Sequence, residues 1–502
     1  MTDNYLHDFI FARHQDKATP FLITEQTVFS CVDFAELVNR LGNTLISAGL
    51  KPGGRVAMQV EKSVPAFALY AATIKAGGVF LPLNTGYTAA ELEYFIGDAT
   101  PSVLVVRPED EEKLTPLARQ VGADVFTLDD NGQGSLLDAA SSQNPEMRSV
   151  PRGADDLAAI LYTSGTTGRS KGAMLSHRNL CSNTEALAET WKFTEDDILL
   201  HALPIYHTHG LFVAGNLLAM TGGQMIYLPR FQIDDVLKHL PEATTMMGVP
   251  TFYTRLLADQ RFTKESAAHI RLFVSGSAPL LAETHVEFEA RTGQRILERY
   301  GMTETGMNTS NPYDGDRRAG TVGMALPGVS VRLADAKTGD SVAPGEIGII
   351  EVKGDNVFSG YWQMPEKTAE SFRKDGYFIT GDMAMEDAEG YITIVGRDKD
   401  LIISGGLNIY PKEVEEAIND LPGVVESAVI GVPHPDFGEG VVAIVVREST
   451  IDAMDIKNGL KEKLAAFKQP KEVIFMDNLP RNSMGKVQKA NLRKVHGDLF
   501  RT

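Results

Sequence analysis

The sequence predicts an α/β protein of more than one domain, and three features carry that reading. A chain of 502 residues is longer than one hydrophobic core usually organises. Short β-branched runs alternate with helically spaced apolar residues through its first three quarters. From about residue 320 the texture changes twice, first to strands joined by Gly, Asp and Pro turns and then, after GRDKD (396–400), to a compact mixed pattern.

In chain order, RVAMQV (55–60), VFLPLN (79–84) and VLVVR (103–107) read as strands, with FAELVNRLGNTLISAG, VPAFALYAATIKAG and TAAELEYFIGDA as helices between and around them. A second series follows: AAILYT, DDILLHAL, QMIYLP, TTMMGVP, IRLFVSG and RILERYG as strands, with HRNLCSNTEALAETW and PTFYTRLLAD as helices. Two α/β layers account for both series. VSVRLAD, GEIGIIEVKG and YITIVGR then form a small β-rich subdomain. The last stretch reads as a separate domain of about 100 residues: helix EVEEAIND, strands ESAVIGVP and VVAIVVRE, a helix through KNGLKEKLAAF, and strand EVIFMD.

Composition narrows the function. The balance of 48 Lys and Arg against 66 Asp and Glu gives a net charge of -18, which argues against a nucleic-acid partner or a broad anionic-membrane surface. Only Cys31 and Cys181 are present, far apart, so neither a disulfide framework nor a zinc site is expected, and a reducing cytoplasm fits. Asp3 and Asp8 stand where an export signal would need a basic start. The longest apolar stretch, Gly210 to Met220, is shorter than the ~20 residues a bilayer requires, so no membrane insertion is expected.

Against this acidic background, YTSGTTGRSKG (162–172) places three glycines and five Ser/Thr hydroxyls around Arg169 and Lys171, directly after the apolar strand AAILYT. Backbone amides, hydroxyls and two cations at a strand end suit a phosphate. The loop is not a Walker sequence, because Ser170 stands where the second glycine belongs.

YTSGTTGRSKG resembles the phosphate loop of the adenylate-forming acyl-CoA synthetases, and six further motifs of that family follow in order: PIYHTHG (204–210), SGSAPL (275–280), RYGMTET (299–305), TGD (380–382), GRDKDLIISGGLNIYP (396–411) and PRNSMGKVQK (480–489). Within the family the likeness is to the malonyl-CoA synthetases, through HALPIYHTHG, GVPTFYTRLL and ERYGMTETGMNTSNPYDGDR. The resemblance implies a large N-terminal domain (1–397) of two α/β subdomains plus a small β-barrel, and a mobile α+β domain (398–502). It implies ATP and coenzyme A as co-substrates with Mg2+ as cofactor. An acid becomes an acyl-adenylate and then a thioester. Each intermediate is anionic, so cations must gather around it.

By the same resemblance Thr163, Ser164, Gly165, Thr166, Thr167, Gly168 and Lys171 cradle the β and γ phosphates. Glu304, with Thr163, holds Mg2+. Gly276, Ser277 and Ala278 face Arg299, Tyr300, Gly301, Met302 and Thr303 around the nucleotide, and Asp382 and Arg397 hold the ribose. Lys486 is the catalytic lysine and a possible target of acylating regulators, whereas Lys468 and Lys489 read as solvated. Asp398 is the hinge, and Ser404, Gly405 and Gly406 meet coenzyme A. His207 is the histidine between substrate carboxylate and phosphate; His209 stands beside it.

For the acid itself, helical spacing in PTFYTRLLAD puts Phe252, Leu256 and Asp259 on one face with Arg255 at its border. Resemblance gives Arg255 the distal carboxylate of malonate, helped by Ser275 or Ser277. Methylmalonate is a second candidate, and a ligase for another aliphatic or aromatic acid is the alternative.

Overall fold

A computed structural model describes residues 3–163, 170–404, 407–448, 451–461, 463–482 and 485–500. Two compact units divide the chain: Met1–Ser330 with Val352–Phe372, and Val331–Glu351 with Arg373–Thr502.

The first unit contains two large sheets. One has six strands, ordered in space Asp124–Thr127, Val103–Val106, Arg55–Gln59, Val79–Pro82, Leu157–Thr163, Lys171–Ser176. Its first five strands are mutually parallel, and those at its centre are apolar runs sealed on both faces, as parallel strands flanked by helices must be. Helix Val64–Lys75 shows why the alternation works: Ser63 caps its first turn, Pro65 suits that turn, and small alanines let it bury almost completely. The final pair, Leu157–Thr163 and Lys171–Ser176, is antiparallel, so the phosphate loop connects two paired strands.

The second sheet has nine strands, in the order Met324–Ala325, Gly306–Ser310, Leu297–Met302, Leu272–Ser275, Thr245–Gly248, Ile198–His201, Gln224–Tyr227, Pro20–Ile23, Val28–Ser30. From Leu297–Met302 through Pro20–Ile23 the pairing is parallel. PIYHTHG, GVPT and SGSAP therefore leave the carboxyl ends of neighbouring parallel strands and RYGMTE closes a fourth, which is where open α/β sheets gather ligand-binding residues.

In the second unit, a four-stranded sheet is ordered Val329–Ala334, Gly348–Gly354, Phe378–Glu386, Ile392–Arg397. A five-stranded sheet is built around the long antiparallel pair Val424–His434 and Gly438–Arg447. Val414 and Ile418 of helix Pro411–Asn419 and Ile456 and Leu460 of helix Ala453–Leu460 share one core with this sheet. Leu492 of helix Lys489–His496 belongs to a second core. The helix expected through residue 467 ends at Leu460. A capping box of Asp452 and Asp455 starts it earlier, and Gly459 in its last turn weakens continuation.

One side chain joins helix to sheet beside the candidate site. Asn183 of helix His177–Trp191 donates to the Met307 carbonyl at 2.8 Å and accepts from the Met307 amide at 2.9 Å, acting as a strand's partner would. Asn183→Ala strands the buried Met307 amide and leaves the carbonyl only the 3.5 Å contact from Asn356 Nδ2, at a cost of about 1–3 kcal/mol. The thermal unfolding midpoint of the variant should fall clearly below the parent's; coincident melts would contradict the clamp.

Candidate active site

The strand pair bearing the phosphate loop brings Thr163 opposite Lys171. Ser164, Gly165, Thr166, Thr167 and Gly168, with Arg169, lie outside the described residues. Lys171 Nζ sits 4.1 Å from the centroid of the Tyr361 ring, and the Tyr361 hydroxyl donates to Glu304 Oε1 at 3.1 Å. Glu304 is only 6% exposed. Burial lowers the Lys171 pKa while Glu304 pulls it back up. Burial and Glu304 together hold the Tyr361 phenol protonated. One aromatic ring thus links the loop's cation to the carboxylate expected to hold the metal. Tyr361 itself is set by backbone pairing, since Met174 bonds Gly360 and Trp362 bonds Gly172. Among the described residues no group of three or more His, Cys, Asp or Glu could cage a metal. Hard oxygens at Glu304 and Thr163 suit an ion carried chiefly by phosphate oxygens.

A second cluster is buried and polar. His209 Nδ1 lies 3.2 Å from Ser277 Oγ, and Ser277 adopts a left-handed φ of 71°, unusual for a residue with a Cβ. The segment His209–Asn216 is a π-helix, a rare geometry that often marks functional sites. Arg299 is 4% exposed, and its Nε and Nη2 have no hydrogen-bond partner; nor do Ser275 Oγ, His207 Nε2 or His209 Nε2. Burial pushes the Arg299 guanidinium down to about 9 and His207 down to about 4. His209 is lowered by burial and then by repulsion from Arg299. A Cβ on Gly276 would stand 2.4 Å from Arg299 Cζ, so the guanidinium lies flat against a glycine that nothing larger could replace in place. Alternation along Leu297–Met302 explains the arrangement: Arg299 and Tyr300 project to opposite faces. Tyr300 is buried as well, Met302 and Thr303 just after it are partly exposed, and so is Ala278 after Ser277.

Arg255 lies elsewhere. It is exposed on helix Pro250–Ala258, whose buried face is Tyr253, Leu256 and Leu257, and its guanidinium sits 5.9 Å from the Phe231 ring. The face assigned from helical spacing is rotated from the real one because Tyr253 enters the core and donates to the Val274 carbonyl at 2.6 Å.

In the second unit Asp382 and Arg397 are cross-strand partners joined at 2.7 Å, and Asp382 is 4% exposed. Lys486 keeps solvent contact, yet desolvation by surrounding protein lowers its pKa; Arg397 repulsion adds to this, and Asp382 and Asp400 oppose it. Lys399, among the same charges, is lowered to about 8, again first by desolvation. Gly485 takes a φ of 75° and Asn482 caps the Lys486 amide at 2.9 Å, a tight turn that presents the lysine. Asp398 is exposed in a single helical turn, Asp398–Asp400. Ser404 is buried at the end of strand Ile402–Ser404, and Gly405 and Gly406 lie outside the described residues. Sequence reasoning missed Tyr361, whose only signal was its place in a Gly-Tyr-Trp run, and it read Arg299 as a nucleotide ligand.

The AMP-binding enzyme family matches residues 11–362, and the AMP-binding enzyme C-terminal domain matches 413–486. The ATP-bound structure of MatB from Rhodopseudomonas palustris is 56% identical with a TM-score of 0.98, covering 100% of each chain. The malonate–CoA ligase of Arabidopsis thaliana is 35% identical over 89% of this chain and 78% of its own. The feruloyl-CoA synthase of an Amycolatopsis species is 38% identical over 94% of each.

The lowered His207 pKa has a signed consequence for stability. On acidification the unfolded ring takes its proton near the ordinary value of 6.5, and the folded ring only near 4. Stability therefore falls as pH drops through that window, by up to about 3 kcal/mol from this group. His207→Gln should flatten the denaturation profile between those values; parallel profiles would contradict it.

Proposed function

The chain belongs to the AMP-binding enzyme family, and from that premise we propose that it is a malonate–CoA ligase, an AMP-forming acid–thiol ligase. Malonate, ATP and coenzyme A give malonyl-CoA, AMP and diphosphate. The observation that supports malonate is Arg299. A buried guanidinium with unsatisfied N–H groups is costly, by several kcal/mol, unless an anion completes it. The distal carboxylate of a short diacid would complete it in bidentate fashion, with Ser275, Ser277 and His209 alongside. A bulky aromatic acid, as the likeness to a feruloyl-CoA synthase would suggest, leaves the guanidinium buried and unpaired. The distal-carboxylate role thus passes from the exposed Arg255 to Arg299.

In the first step one oxygen of the proximal carboxylate attacks the α phosphorus and the bond to the bridging oxygen breaks, releasing diphosphate. His207, neutral at physiological pH, positions that carboxylate. Lys171 and the loop residues around it neutralise the departing diphosphate, and Lys486 balances charge at the α phosphate while Asp382 and Arg397 hold the ribose. Mg2+, held by Glu304 and Thr163 against the phosphates, would supply charge neutralisation there. In the second step the coenzyme A sulfur attacks the acyl carbon and AMP leaves with the bonding electrons. Because Lys486 serves only the first, the split at 397/398, a hinge at Asp398 and a coenzyme role for Ser404 to Gly406 form part of the proposal. Methylmalonate is a candidate second substrate.

The test is a panel of acids in an assay of diphosphate release. Malonate should outrun acetate, a medium-chain acid and ferulate. Arg299→Met should lose roughly 10²- to 10⁴-fold in kcat/KM for malonate while its substrate-free melting temperature holds or rises; Arg255→Ala should stay near the parent. A parent that prefers acetate or ferulate, or an unaffected Arg299→Met, refutes the assignment. Separately, Lys486→Ala should lose adenylation yet convert supplied malonyl-adenylate to thioester, and loss of both steps would contradict the division of labour.

A further inference from the structure

The loop that carries His207 and His209 is fastened at its base by a lysine belonging to no family motif. Lys62 is 8% exposed and has no carboxylate partner among the described residues. Its Nζ lies 2.7 Å from His201 Nδ1, 2.7 Å from the His201 carbonyl and 2.6 Å from the Leu228 carbonyl, and 4.2 Å from the centroid of the Tyr227 ring. The other nitrogen of the same imidazole, Nε2, lies 2.8 Å from the Gly210 carbonyl.

With Lys62 as an ammonium, donor counting assigns the hydrogens along these contacts. A carbonyl can only accept, so His201 Nε2 carries the hydrogen toward Gly210. Burial, reinforced by Lys62, keeps the ring neutral, which leaves Nδ1 as an acceptor. Lys62 then faces three acceptors with three N–H groups and lays its charge against an aromatic face. Burial alone presses this ammonium well below the ordinary lysine range. A methionine would fill the space without desolvation cost, so what lysine adds is direction: it selects the His201 tautomer that can hold Gly210.

Gly210 closes the loop that began at His201. A Cβ there would meet the Pro204 carbonyl at 2.0 Å, and the Leu211 amide bonds the His207 carbonyl at 3.0 Å. Both ends of the segment HALPIYHTHG are thereby tied to one ring, and His207, Thr208 and His209 project from the closed turn. We infer that Lys62, acting through His201, is a positioning residue for the acid-binding histidines. The inference rests on the malonate reading above for the role of those histidines, and on the Lys62–His201–Gly210 hydrogen bonds for its own part.

Glutamine at position 201 can accept from Lys62 through its amide oxygen and donate to Gly210 through its amide nitrogen, whereas leucine can do neither. The experiment compares Lys62→Met, His201→Leu and His201→Gln in the full chain. KM for the acid, KM for ATP and melting temperature are measured with whichever acid the parent turns over best. A failure of the malonate reading then shows in the parent, and a failure of this inference only in the variants. Lys62→Met and His201→Leu should raise the acid KM on the order of 10- to 100-fold while the ATP KM stays within about twofold, and His201→Gln should recover most of the loss. Equal shifts in both KM values, no shift, or a His201→Gln as impaired as His201→Leu would overturn the inference. Should Lys62→Met fail to fold, the two His201 variants decide the matter alone.

Discussion

The structure depends on a charge that the protein alone does not satisfy. Arg299 is enclosed by Gly276, Tyr253 and the histidine loop, and two of its nitrogens have no partner. Folding normally avoids this, because an uncompensated buried cation costs more than most single contacts return. It is tolerable where the missing partner is a substrate. The same reasoning covers Ser275 Oγ and the Nε2 atoms of His207 and His209, which are likewise without a partner. On the proposed function these donors are a carboxylate shell held in place before the carboxylate comes, and prearranged donors need no reorganisation when the anion arrives.

The sheets explain how such a shell is held rigid. Parallel strands ending at His201, Gly248 and Ser275, with Leu297–Met302 beside them, supply most of it from adjacent carboxyl ends. Strand alternation sends Arg299 and Tyr300 to opposite faces of the sheet, so that, on the proposed function, the arginine meets the acid while the tyrosine serves the other face. On either side of residues 164–169, Tyr162 donates to Asp98 at 2.5 Å and Tyr94 donates to the Ser170 carbonyl at 2.9 Å. Tyr361 couples Lys171 and Glu304 through a ring face and a hydroxyl, so the cation and the carboxylate flank a single tyrosine.

Much of this was legible in the sequence, for physical reasons. Strands buried on both faces read as apolar runs whatever their neighbours, so the first α/β layer was recoverable from 55–60, 79–84 and 103–107, and the fold class and the ligase family were borne out. The short strand Gly306–Ser310 went unread because GMNTS has polar residues buried by pairing with Leu297–Met302, not by apolar content. The π-helical segment His209–Asn216 is apolar all round and its sequence carries no period to mark it. The misplaced arginine has a sharper cause. Helical spacing tells which residues share a face but not which face meets the core, and at Pro250–Ala258 the hydroxyl of Tyr253 decided that by reaching Val274. Lys62 was invisible because its partners are two backbone carbonyls and a ring brought together only by the sheet.

The most direct measurement is a crystal structure of the protein with malonate and a non-hydrolysable ATP analogue. On this account one malonate carboxylate lies within hydrogen-bonding distance of Arg299 Nε and Nη2, with the other turned toward His207 and the nucleotide. A malonate whose far carboxylate meets Arg255 or open solvent, while Arg299 stays unpaired, would contradict it.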